Sequence, residues 1–170
     1  MLNKPTRAFA RAGIIAALYT AISLVIFPFA SGAIQVRLSE GLTLLAVIFP
    51  EAIFGLSVGC MLSNLITGCA PLDVVFGTII TLIAAVLSFI CTRKIKRNSL
   101  RILIGGIFPV TLNAFLLPLI WIYCYGAIEY IYPLQALLLV VGQAVSVYAV
   151  GSPMLIVVDK IKKKGVQFFN

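Results

Sequence analysis

Histidine is missing from the chain, and charged residues make up only 11% of its 170 positions. The first absence removes the side chain most often used as a general base and as a metal ligand near neutral pH. The carboxylates Glu40, Glu51, Asp73, Glu129 and Asp159 are dispersed, and Cys60, Cys69, Cys91 and Cys124 form no CxxC. A metal centre has no ligand cluster to draw on, so neither a metal nor another cofactor is expected. P-loop, HExxH and GxSxG motifs are lacking too, and Gly105-Gly106 carries nothing else of a phosphate loop. Catalysis is therefore not expected. The second absence excludes a water-soluble globule, which usually carries about 25% charged residues. With 62% hydrophobic residues and a mean hydropathy of +1.14, the chain must have lipid as its main solvent.

What charge there is has a pattern. The net charge is +8, which on a soluble domain would suggest nucleic acid. Here, however, the bases form three runs: Lys4, Arg7 and Arg11, then Arg93 to Arg101, then Lys160 to Lys164. Each run abuts a long apolar stretch, where positive residues mark cytoplasmic loops and attract anionic lipid headgroups. Membrane lipid, and not nucleic acid, is the expected partner of these runs. Residues 1–29 have the basic start and apolar middle of a signal peptide, but the apolar stretch is too long and lacks a good small-x-small cleavage site. It is expected to stay as a span.

A helix needs about 20 apolar residues to cross a hydrocarbon core about 30 Å thick. Four stretches meet that length, and the region from Gly41 to Ile66 is either one long helix or two short ones. Phe49-Pro50-Glu51 favours a break, because proline and an acidic residue suit the first turn of a helix better than its interior. The charge pattern favours the same choice. Six spans with the N-terminus inside place 12 of the 13 Lys and Arg residues on the cytoplasmic side, leaving only Arg37 outside, as the positive-inside rule prefers. The sequence thus predicts an all-α membrane protein with six transmembrane helices, over residues 8–29, 38–49, 52–66, 73–92, 102–123 and 134–158, and both termini cytoplasmic. Helices two and three, about 18 and 22 Å long, are too short to cross alone and are expected to leave a depression on the outer side. Unusually short spans point to a binding site in transporters.

The polar residues collect on that outer side. Gln35, Arg37 and Glu40 lie between helices one and two, Asn64 near the outer end of helix three, and Asp73 at the start of helix four. Asn113 and Trp121 fall in the outer half of helix five and Gln143 in that of helix six. Ionisable groups at bilayer depth are costly unless paired or hydrated, which makes each a functional candidate. Each also has a plainer role: Arg37 with Glu40 as an i, i+3 pair, Asp73 as an N-cap, Asn113 and Gln143 as glue between helices. Their convergence beside two short helices favours a small-molecule pocket open on one side and closed on the other. A channel would need polarity running through the bilayer. On helix one, Ala8, Ala12 and Ala16 form an i, i+4 row of small residues, beside Gly13, Ala17 and Ala21. Such surfaces let helices approach closely in lipid, either within the protein or at a partner.

The stretch Ile34-Gln35-Val36-Arg37-Leu38-Ser39-Glu40-Gly41-Leu42-Thr43-Leu44-Leu45, followed by Phe49-Pro50-Glu51-Ala52-Ile53 and Gly55, resembles the QueT family nearly end to end. Members of that family are S components, the substrate-binding subunits of energy-coupling factor (ECF) transporters. The resemblance implies a six-helix S-component bundle partnered by a transmembrane coupling protein and two ATPases. It implies that the alanine-rich face of helix one meets the coupling protein. It also implies uptake of a queuosine precursor, either queuine or a 7-deazaguanine base. Its donor edge suits a carboxylate such as Glu40 or Asp73, its carbonyl a donor such as Asn64, Gln143 or Arg37, and its ring an aromatic such as Trp121. The alternatives are an S component for another vitamin, since a fold does not fix its ligand, or a small membrane channel or enzyme.

Overall fold

The computed structural model describes residues 3–30, 36–126 and 128–166, and no strand occurs among them. Helix α1 spans Lys4–Ala30. It is followed by a 3₁₀ helix, Leu38–Val47, then α2, Ala52–Ile66, α3, Pro71–Thr92, and α4, Asn98–Tyr125. The last helix is continuous: α5, Tyr132–Ala144, passes through a π-helical stretch, Val145–Gly151, into α6, Ser152–Lys163. Four helices are long and apolar enough to cross a membrane: Lys4–Phe27, Pro71–Thr92, Asn98–Tyr125 and Tyr132–Lys163.

The expected break at Phe49-Pro50-Glu51 is present, but the element before it differs from the expected α-helical span. It is a 3₁₀ helix, and Ser39 to Val47 are buried without exception. It is a plug in the bundle centre, not a helix facing lipid. Side chains three apart share one edge of such a helix, and here that edge is Gly41, Leu44 and Val47. Gly41 lies against the last helix so closely that an added Cβ would sit 2.8 Å from the Ser146 carbonyl oxygen. Gly151 and Gly105 give the room that Leu44 and Val47 need: a Cβ at Gly151 would come 3.0 Å from Leu44 Cδ1, and one at Gly105 2.7 Å from Val47 Cγ2.

The prolines of the long helices have distinct consequences. Pro153, near the start of α6, cannot bond the carbonyl of Ala149, and the π-helical stretch immediately precedes it. Pro109 lies inside α4 and frees the Gly105 carbonyl, which takes a hydrogen bond from Ser88 Oγ of α3 at 2.7 Å instead.

All three basic runs meet at one end of the bundle. Arg101 donates to the Val47 carbonyl at 2.8 Å and Lys162 to that of Ile48 at 3.2 Å, so cations cover the open carbonyls at the end of the 3₁₀ helix. Arg11 pairs with Glu51. Arg11 and Lys162 lie 5.1 and 4.9 Å from the centre of the Phe49 ring, within cation–π range. Asp159 accepts from Asn98 at 3.0 Å and pairs with Lys163 at 2.5 Å.

Candidate ligand-binding site

At the opposite end, a cavity of about 340 Å³ opens between the helices, within the size range of small-molecule sites. Helix α1 supplies Tyr19, Ser23, Ile26 and Phe27, positions that an α-helix brings to one face. The entry to the 3₁₀ helix supplies Arg37, Leu38 and Ser39. The end of α2 and the turn after it contribute Ser63, Asn64, Thr67 and Cys69, while Asp73 comes from α3 and Trp121 from α4.

Of the expected site residues, Arg37, Asn64, Asp73 and Trp121 thus line one cavity. Asp73 is not an N-cap: Ala70 holds that position, Pro71 begins α3, and Asp73 lies in the first turn, where the positive end of the helix dipole favours a carboxylate. Its Oδ1 accepts a hydrogen bond from Trp121 Nε1 at 3.0 Å, which fixes the indole beside the carboxylate. Asn64 is held loosely, with Nδ2 3.5 Å from the Asp73 carbonyl and 3.7 Å from Cys60 Sγ. Arg37 is half-buried.

Three others lie deeper. Glu40 is buried, and its Oε1 accepts from the Tyr19 hydroxyl at 2.5 Å. The expected alternative of an Arg37–Glu40 pair is not formed: no such ion pair occurs among the described residues. Glu40 therefore stands behind Tyr19 and does not line the cavity. Asn113 is buried and turns its Nδ2 to the Pro109 carbonyl of its own helix at 2.9 Å, so one of its two N–H donors is spent locally. Gln143 is fully enclosed, with neither amide atom hydrogen-bonded. Gln35 lies outside the described residues.

Tyr19 and Ser23 were missed by the sequence reasoning, and Ser39, which lies between Arg37 and Glu40, was not singled out for the site. Ser23 Oγ and Ser39 Oγ are 2.7 Å apart, joining α1 to the 3₁₀ helix at the cavity wall. The signal was present: with Thr20, Tyr19 and Ser23 are the polar residues of an otherwise apolar run, and the face that Tyr19 and Ser23 share continues through Ile26 and Phe27.

A second, apolar groove lies toward the basic end, lined by Ala8, Phe9, Ala12, Gly13 and Ala16 of α1 and by Glu51, Phe54, Gly55 and Val58 of the α2 region. The small-residue row is shared, because it also carries internal packing. A Cβ on Gly55 would sit 2.5 Å from the Ala12 carbonyl oxygen, and one on Gly59 2.9 Å from that of Ala16, so α2 approaches α1 through its own glycines. Internal packing, one of the two roles expected for this row, is present at Ala12 and Ala16, and all three alanines also line the groove.

A family model for the QueT transporter matches residues 9–160, nearly the whole chain. The chain belongs to the QueT transporter family. No curated protein and no solved structure gives a significant match. Membership makes this a transport protein of the membrane, in keeping with its four long apolar helices. For a QueT chain the two concavities differ in character: one is lined by an arginine, an aspartate, an asparagine and an indole, the other by small and apolar groups beside the Arg11–Glu51 pair.

Proposed function

We propose that this chain is the substrate-capturing S component of an ATP-driven ECF importer, and that it takes up a queuosine precursor, queuine or another 7-deazaguanine base. Family membership supports the transport role, and the cavity chemistry supports the ligand. The observation that carries it is the Asp73–Trp121 pair in the cavity wall. A flat heteroaromatic base stacks on the indole, the carboxylate accepts one of the ligand's N–H donors, and Arg37 and Asn64 supply donors to its acceptors in the cavity wall. The basic end is the cytoplasmic one, by the positive-inside rule. The cavity then faces outward, and the apolar groove is offered to the transmembrane coupling protein that works with the two ATPases.

Mass spectrometry of small molecules co-purifying with the protein is expected to return a 7-deazaguanine; any other vitamin would replace that substrate. In calorimetric titration with queuine, Asp73→Asn removes a charge-assisted hydrogen bond worth about 1.5–3 kcal/mol, a loss of roughly ten- to a hundredfold in affinity. Unchanged affinity in that variant would remove Asp73 from the site.

A further inference from the structure

Buried polar groups in this bundle are nearly always satisfied at short range. Thr43 bonds the Glu40 carbonyl at 2.6 Å, Ser63 that of Cys60 at 2.9 Å, Thr92 that of Ser88 at 2.5 Å and Ser146 that of Gly142 at 2.9 Å. At the basic end Asn98 Oδ1 and Arg101 Nε are unpartnered, but those side chains bond through their other nitrogens; the layer beneath the cavity departs further from this pattern. Glu40 Oε2 is buried without a hydrogen-bond partner, and Gln143 is 0% exposed with both Oε1 and Nε2 unpartnered. Among the described residues, Gln143 is the one enclosed side chain known to leave every polar atom unpaired. Leaving buried donors and acceptors unpaired is unfavourable, and an apolar side chain of similar shape would remove that cost.

The two residues share a level of the bundle. Glu40 precedes Gly41, and Gln143 lies one turn before Ser146, whose carbonyl is the atom closest to Gly41 in the last helix. The 3₁₀ helix and the last helix run in the same direction, since Gly41 meets Ser146 and Ile48 meets Lys162. Glu40 and Gln143 are therefore both on the cavity side of that contact. Tyr19 is the partition: it lines the cavity and holds Glu40 through its hydroxyl.

We propose that the ligand chamber deepens past Tyr19 on binding, and that Glu40 Oε2 and the Gln143 amide receive the ligand's lactam edge. The inference rests on the base-binding reading above and orients the base within that site. Glu40 Oε2 and Gln143 Oε1 are acceptors and Gln143 Nε2 is a donor. Together they match an edge carrying N–H donors beside a carbonyl, as a 7-deazaguanine does. The substituted end of the ligand then stays near Asp73 and Trp121 at the mouth.

The test is calorimetric titration of the full chain in detergent with queuine and with 7-deazaadenine, which lacks the lactam, alongside thermal unfolding. The wild type is expected to prefer queuine. Gln143→Leu is expected to lose at least tenfold in queuine affinity and most of that preference, while its unfolding temperature holds or rises. Gln143→Met serves equally if the leucine variant does not fold, and Glu40→Gln is expected to weaken queuine in the same way. Wild-type affinity and preference in the Gln143 variants overturn the inference, whether their stability falls or not, and leave the cavity reading standing. A wild type that does not bind queuine, or binding indifferent to Asp73→Asn, overturns the cavity reading instead, and this inference with it.

Discussion

Ser88 belongs to α3, yet its hydroxyl serves the backbone of α4. The Gly105 carbonyl that it reaches at 2.7 Å, sharing its one proton with the Ala84 carbonyl at 2.8 Å, is open only because Pro109 has no N–H to give it. Ser88→Ala leaves that buried acceptor unpaired and is expected to cost about 1–3 kcal/mol of stability, read as a shift in reversible unfolding in detergent. Pro109→Ala returns an N–H to the helix, so the same serine replacement made in that background is expected to cost much less. Equal costs in both backgrounds would show that the hydroxyl does nothing for Gly105. At this scale the sequence was legible where a polar group stood out against apolar surroundings, as with Asp73 and Trp121. At Glu40 it offered Arg37, three residues away, as the plainer partner, whereas the group that bonds its carboxylate is the Tyr19 hydroxyl on another helix. Spacing along a chain reports neighbours on one helix, while the choice between neighbours is made by packing.

Between elements, the short segments could be counted in advance but not typed. Pro50 and Glu51 announced a break, whereas an apolar run buried on all sides carries no period that separates 3₁₀ from α. The close approach of α1 and α2 was likewise half legible: the alanine row was visible, but its meeting with Gly55 and Gly59 needs the crossing geometry. That geometry decides how the groove should be probed. Ala12 is poor for the purpose, because its carbonyl already touches Gly55. Gly13 lines the groove, and a Cβ there meets nothing within 4 Å. Gly13→Leu is therefore expected to leave folding and queuine binding unchanged while blocking a helix from entering the groove. Transport in proteoliposomes with the coupling protein and ATPases is expected to fall at least tenfold. Full transport by that variant would place the docking face elsewhere.

The whole molecule has two unlike ends. At one end Arg11 of α1 and Lys162 of α6 lie over Phe49, Arg11 pairs with Glu51 and Arg101 of α4 reaches the Val47 carbonyl, and the cavity lies at the other. Gathering these runs on one side was readable from charge alone, because the cost of translocating Lys and Arg acts on loops before any packing exists. With the four native cysteines replaced, a single cysteine at Arg97 is expected to react with an impermeant maleimide only after the cells are permeabilised. Labelling of intact cells would invert or reduce the proposed six-span arrangement. The plug between these ends has a history as well as a place. Lys162 closes over Ile48 from 114 residues further along the chain, and Gly151, against which the plug lies, is nearly as distant. While the ribosome is still making α3 and α4, the segment Leu38–Val47 is already in or near the bilayer with no lid. A nascent chain stalled before residue 151 thus holds all the cavity-lining residues and the plug beneath them, but lacks the glycine that makes room for Leu44 and the lysine that caps Ile48.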